Sequence, residues 1–170
     1  MIDGLGGAKY LFAMRITRFD GQYEDPSPPT SQDALDLICV DDDDDIRFIT
    51  RQALNLDANI AIECVSSGRD VLQLLNRRAT LPDCLIVDSR MPMMSGEMLM
   101  LAVRSDERFK DIKLIVMSAN VHRDDLNRYF ALGAAGVVGK PFNAMTLASQ
   151  VREILSSTIA RHGNDWRRTA

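Results

Sequence analysis

The chain has 170 residues, 46% of them hydrophobic and 26% charged, the composition of one globular domain with a real core. Its formal net charge is -4, so the clustered basic footprint of a general nucleic-acid binder is missing. No apolar run reaches bilayer-spanning length, and the opening MIDGLGGAKYLFAMRITRF has no basic segment ahead of an unbroken apolar one, which argues against a membrane span and a signal peptide.

Residues 1–33 read apart from the rest. Gly4, Gly6 and Gly7 are followed by Pro26, Pro28 and Pro29, and YEDPSPPTSQD reads as an extended linker. Within this extension YLFAMRITRF (10–19) is apolar enough to dock, and it suits an added strand, an added helix or a tail equally. From residue 34 the pattern turns regular. LDLICV (35–40) is a short apolar run fit for a buried strand, and IRFITRQALNL follows with Ile46, Ile49, Ala53 and Leu56 spaced to share a helix face. NIAIECV (59–65) is the next strand. SSGRDVLQLLNRR begins with cap-forming serines and repeats apolar residues at Val71, Leu72, Leu74 and Leu75. DCLIVD (83–88) is a third strand. A loop with Pro92 and Gly96 leads into the helix EMLMLAVR, and IKLIVMSA (112–119) is a fourth strand. RDDLNRYFALG is a helix closed by Gly133, a suitable residue just past a helix end. GVVG (136–139) is a fifth, short strand. A last helix is expected over 143–159, with Leu147, Val151, Ile154 and Leu155 on one face.

Strand and helix thus alternate five times, and the strands are continuous apolar runs rather than alternating ones. That is the pattern of a parallel α/β sheet covered by helices on both faces. Asp41 and Asp42 end the first strand, Asp88 the third and Ser118 the fourth, and Lys140 follows the fifth. Open parallel sheets bind ligands at those carboxyl ends. Carboxylates crowded together with a lysine and a hydroxyl suit a hard, oxygen-loving cation and a phosphoryl group. Asp88 is then a metal ligand or a nucleophile able to form an acyl phosphate.

The pieces ICVDDDDDIR, LIVDSRMPMMSGEML, IVMSA and GAAGVVGKPF, in that order, resemble the receiver domain of two-component response regulators over residues 35–159. The resemblance implies a flavodoxin-like doubly wound sheet of five parallel strands, order 2-1-3-4-5, flanked by five helices. It divides the chain into an extension (1–33), a receiver domain (34–160) and a short tail (161–170). It makes Asp88 the phosphoacceptor, accepting from a sensor histidine kinase or a histidine phosphotransfer protein. It makes Asp41, Asp42, Asp88 and the backbone carbonyl of Arg90 the Mg²⁺ ligands, Ser118 the switch hydroxyl and Lys140 its partner at the phosphoryl group. Ala119 gives the donor access, Pro92 and Gly96 shape the loop after Asp88, and the Lys140–Pro141 bond is expected to be cis. Arg90 and Asn120 hold positions that tune the phosphoryl lifetime. The expected chemistry is limited to phosphorylation and dephosphorylation at Asp88. A cytoplasmic monomer or weak dimer is expected, signalling by protein contact or onward phosphotransfer without direct nucleic-acid contact. The short tail favours a single-domain regulator over a fragment.

Only Asp41 and Asp42 of the five-aspartate run are needed for the metal; Asp43, Asp44 and Asp45 suit the start of a helix, where acids meet orphan N–H groups and the positive end of the dipole. An EF-hand is excluded, because Ile46 stands where its glycine belongs and Gln52 where its bidentate glutamate belongs. One position departs from the family: Val137 stands where an aromatic usually relays the signal. Cys39, Cys64 and Cys84 read as reduced core cysteines, His122 and His162 as surface residues, and Met91, Met93, Met94, Met98 and Met100 as loop and core filler. Two rival readings remain: a haloacid-dehalogenase-like phosphatase with Asp41 as nucleophile and Asp43 as acid–base, and a pseudo-receiver that binds without being phosphorylated.

Overall fold

The structure, a computed structural model, describes residues 34–161. Expectations placed on residues 1–33, on His162 and on the tail beyond 161 fall outside the described residues. In chain order the elements are β1 (Leu35–Val40), α1 (Asp44–Leu54), β2 (Ile60–Val65), α2 (Gly68–Arg77), β3 (Cys84–Asp88) and α3 (Gly96–Ser105). There follow a 3-10 turn at Glu107–Phe109, β4 (Lys113–Ser118), α4 (Arg123–Ala131), β5 (Gly136–Gly139) and α5 (Leu147–Arg161). All strand pairs are parallel and the order is β2-β1-β3-β4-β5, the expected doubly wound, flavodoxin-like sheet.

The apolar runs serve two cores at once. Side chains alternate across a strand, so Leu37 and Cys39 of β1 face a core with Ala53, Leu54, Leu147 and Val151 from α1 and α5. Ile38 and Val40 face the other core, with Val71 and Leu75 of α2, Leu99 and Val103 of α3 and Tyr129 of α4. Each such leucine or valine buried stabilises the fold by roughly 1.5–3 kcal/mol. The β1 and β3 carboxyl ends are therefore held between two packed layers, which fixes the positions of Asp41 and Asp88.

The helix starts follow the acid and serine signals. Asp43 caps α1, accepting the N–H groups of Asp45 (2.9 Å) and Ile46 (3.1 Å), while Asp44 and Asp45 sit in the first turn. Ser67 and Ser95 cap α2 and α3. Gly133, at φ 86°, turns the chain after α4.

Three expectations need correction. The inward face of α1 is Thr50, Ala53 and Leu54, while Ile49 is 43% and Leu56 60% exposed. The helix is rotated so that Arg47 tucks in and donates to the Asp41 carbonyl at 2.6 Å, and at 100° per residue that turn carries Ile49 outward. The last helix begins at Leu147 instead of 143, because Asn143 makes a turn first: its side chain takes the Met145 N–H and its carbonyl the Thr146 N–H. Cys64 is half-buried, unlike the buried Cys39 and Cys84, because β2 is an edge strand. Met91 and Met100 are core, whereas Met93 and Met98 are exposed. His122 is exposed, as expected.

Candidate functional site

Strands β1 and β3 are neighbours, so Asp41 and Asp42, which follow β1, meet Asp88 at the end of β3. One carboxylate oxygen from each of Asp41, Asp42 and Asp88 lies within 4.8 Å of the others. Asp41 is 2% and Asp88 7% exposed, while Asp42 is open to solvent. Lys140, just past β5, reaches in between them. Its ammonium donates to Asp41 Oδ2 and to Asp88 Oδ1, each at 2.6 Å. These residues line an open cleft of about 290 Å³ together with Asp43, Ile46, Ser89, Arg90 and Ala119.

Backbone donors orient both buried acids. The Asp43 N–H gives a 3.0 Å bond to Asp41 Oδ1, and the Arg90 N–H a 3.1 Å bond to Asp88 Oδ2. Burial pushes the Asp88 carboxyl up from its ordinary range; Lys140 works against this, and the negative charge of Asp41 adds to it. Burial draws the Lys140 ammonium down, but the hydrogen bonds and charges of Asp41 and Asp88 outweigh it and hold the lysine protonated. Three oxygen-donor side chains against one ammonium leave a surplus of negative charge in a half-shielded cleft. That donor set fits a hard divalent cation of the Mg²⁺ kind, which takes a few carboxylates and keeps its remaining waters.

Glycine is required at position 96. A Cβ there would stand 2.3 Å from the Asp88 carbonyl oxygen and 3.0 Å from Ser89 Cα, both backbone atoms. The Gly96 N–H also donates to the Ser89 carbonyl at 3.2 Å, so the start of α3 closes directly onto the loop after Asp88. That loop carries Met93 at φ 65°, 92% exposed. The Lys140–Pro141 bond is cis, as expected.

Ser118 is the one expected site residue whose hydroxyl faces away from the acidic cleft. It is 2% exposed and donates to the Asn120 carbonyl at 2.9 Å, while the Asn120 N–H donates back at 3.1 Å. Ser89 Oγ donates to it at 3.1 Å, and the buried Tyr129 hydroxyl lies 3.3 Å away. A hydroxyl has one proton and two lone pairs, so four polar groups more than satisfy it in this orientation. Ser89, Tyr129 and Arg47 were not foreseen from sequence. The Ser-Arg after Asp88 and the basic residue one turn into α1 are local hints for two of them, but nothing near Tyr129 marks it. Val137 is half-buried beside Val116, on the same face of the sheet as Tyr129.

The comparisons with known proteins agree with this geometry. Residues 37–152 match the sequence model of the response regulator receiver domain. The chain is 29% identical over 133 residues to the sensor histidine kinase TmoS of Ectopseudomonas mendocina, covering 78% of this chain and 13% of that protein. It is 38% identical over 72 residues to the chemotaxis protein CheY of Pseudomonas aeruginosa, covering 42% of this chain and 58% of that one. The chain therefore spans only part of the length of these relatives. Among solved structures, the chemotaxis response regulator CheY4 of Vibrio cholerae superposes with a TM-score of 0.65 at 27% identity, covering 71% of this chain and 98% of that one. With the family match spanning most of the chain and the sheet order shared, this protein belongs to the response regulator receiver domain family.

Proposed function

We propose that Asp88 accepts a phosphoryl group from the phosphohistidine of a kinase or phosphotransfer protein and that the domain signals through the resulting change. One observation carries this reading: Asp88 ends β3, the central strand, with Asp41 and Asp42 following its neighbour β1 and the Lys140 ammonium, from just past β5, donating to it. An Asp88 oxygen bonds to phosphorus, the P–N bond of the donor breaks, and its electron pair stays on the imidazole. Lys140, protonated in the resting cleft, follows the new phosphoryl oxygens and offsets their charge. The exposed Ala119 at the rim leaves the approach open. Asp41, Asp42, Asp88 and the Arg90 carbonyl would hold Mg²⁺, which supplies positive charge against the phosphoryl oxygens when bound.

Ser118 carries the change outward. Turning toward the phosphoryl group breaks its bonds to Ser89, Asn120 and Tyr129, and a buried hydroxyl that loses its partner costs about 1–3 kcal/mol. Tyr129 sits on α4, so that cost favours a shift of α4. This assigns to Tyr129 the relay that the small Val137 cannot perform. The phosphatase reading is disfavoured by Asp43, whose carboxylate is engaged in capping α1 and is not free for acid–base work.

The test is intact-protein mass after incubation with acetyl phosphate and Mg²⁺. Parent and Asp41→Ala gain one phosphoryl group, and Asp88→Ala gains none. Uptake that survives in Asp88→Ala and vanishes in Asp41→Ala would restore the phosphatase reading. No uptake by the parent, with Mg²⁺ bound, would leave the pseudo-receiver.

A further inference from the structure

Away from the acidic cleft, two cysteines face each other across the β1–β2 pair. Cys39 and Cys64 are in register on neighbouring parallel strands, and both project toward the core shared with α1 and α5. Neighbouring strands run about 4.7–4.9 Å apart. That lies within the Cα range of roughly 4.4–6.8 Å that a disulfide spans.

Their surroundings are unequal. Cys39 is 1% exposed, whereas Cys64 is half-buried on the edge strand. The Cys64 thiol donates to the Arg47 carbonyl at 3.9 Å, and Arg51 stands one turn further along α1. Cys64, half-buried as a residue, thus lies beside the turn of α1 that carries Arg47 and Arg51. Electropositive, partly exposed settings of this kind distinguish reactive thiols from inert core ones. Consistently, the Cys39 hydrogen bond, followed by the bond and charge of Arg51, draws the Cys64 thiol below its ordinary value against the opposing effect of burial. Cys84 is the internal contrast: it is wholly buried in β3, and burial pushes its thiol up.

We propose that Cys64 is a modification site for hydroperoxides, with Cys39 as the partner that resolves it to a disulfide. The Cys64 thiolate attacks the peroxide oxygen. The O–O bond breaks, water or an alcohol leaves, and Cys64 becomes a sulfenic acid, oxidised by two electrons. The Cys39 sulfur then attacks the Cys64 sulfur, the S–O bond breaks, and the oxygen leaves as water with the Cys39 proton. In total, two thiols and one peroxide give one disulfide and two hydroxyl products. The bridge would tie β1 to the edge strand two residues ahead of Asp41. The reaction is independent of phosphoryl chemistry.

The test treats the full chain with hydrogen peroxide and measures intact mass and a non-reducing peptide map. The parent should lose two hydrogens, regain them with a dithiol reductant, and show one crosslink joining the Cys39 and Cys64 peptides. Cys64→Ser should abolish this loss. Cys39→Ser should instead stop at one added oxygen, trapped on Cys64 by a dimedone-type nucleophile. If Cys39→Ser does not fold, the same trapping on the parent at early times reads the Cys64 sulfenic acid. Three thiols still free in the parent after a free cysteine peptide has been fully oxidised would overturn the proposal. So would a crosslink that uses Cys84 or joins two chains.

Discussion

Toward the amino ends of the strands, Arg78 pairs with Asp36 and lies 3.6 Å from Glu63, and Asp83 accepts the Asp36 N–H at 2.7 Å. At the carboxyl ends, Lys140 lies between Asp41 and Asp88, with Asp42 beside them. Each region gathers acids beside one base, yet the two differ in what the acids can do. Glu63 has half its side chain in water, at 51% exposure, and one Asp83 oxygen is engaged by backbone. Arg78, at 21% exposure, is nearly as covered as Lys140 at 18%. Its partners Asp36 and Glu63, however, keep 33% and 51% of their side chains in water, where a charge left alone is solvated. Asp41 and Asp88 are buried, and their oxygens converge with that of Asp42. Convergence in a shielded place lets a charge cluster hold a cation and a phosphoryl group; the count of charges does not. Size does not mark the site either. The larger hollow, about 350 Å³, is at the amino end, lined by Ala34, Leu35, Ala58 and Ile60 beside Asp36 and Asp83.

If that difference is real, substitutions at the two ends must behave differently. The largest effect is expected from Lys140→Ala. It leaves two buried carboxylates without their counter-charge, which costs up to about 3–5 kcal/mol, and Mg²⁺ should restore part of the lost Tm. The matching change at the other end, Arg78→Ala, should cost about 1 kcal/mol or less, show no Mg²⁺ rescue, and leave phosphoryl uptake unchanged. Equal losses in thermal denaturation, or equal rescue, would erase the distinction.

Next comes Gly96→Ala. The added methyl meets the Asp88 carbonyl and Ser89 Cα, neither of which can swing aside. A loss of about 1–3 kcal/mol follows, with slower phosphoryl uptake because the loop after Asp88 must shift. A variant as stable and as fast as the parent would show that the loop is looser than its contacts imply.

A smaller and different effect is expected from Tyr129→Phe. Uptake at Asp88 should persist, while the phosphorylation-dependent change in amide exchange over α4 should shrink. An unchanged α4 response would remove Tyr129 from the relay.

The smallest effect belongs to the amino end. Asp57 receives Arg152 at 2.6 Å, and that hydrogen bond, only partly opposed by burial, holds its carboxyl below the ordinary value of 3.8. A group with a lowered folded pKa stabilises above its ordinary value and stops doing so as pH falls through the lowered one. Asp57→Asn should therefore cost about 0.2–1 kcal/mol near neutrality, and the gap to the parent should close as the pH drops through and below 3.8. A gap independent of pH would mean that the pair contributes by packing alone.

These contrasts also explain what could be read in the chain beforehand. The sheet was legible because buried parallel strands must be apolar on both faces, so their bounds fell within a residue or so of those found. Asp41, Asp42, Asp88 and Lys140 were legible because each follows a strand end, and a parallel sheet brings such ends together. The five aspartates divided as local helix physics demands, with Asp43 as cap and Asp44 and Asp45 in the first turn. The face of α1 was misread because Arg47 is tied to the Asp41 carbonyl, a tertiary bond with no trace in the spacing of apolar residues. Tyr129 escaped for the same reason: its partner Ser118 is eleven positions away on another element, and only the packed sheet joins them.

Whether the phosphoryl bond forms on Asp88 is read most directly by borohydride reduction. Borohydride converts an aspartyl phosphate to homoserine, which a peptide map locates. After acetyl phosphate, Mg²⁺ and borohydride, homoserine is expected at position 88 and nowhere else. Homoserine at position 41, or a phosphoryl group resistant to borohydride on another side chain, would contradict it.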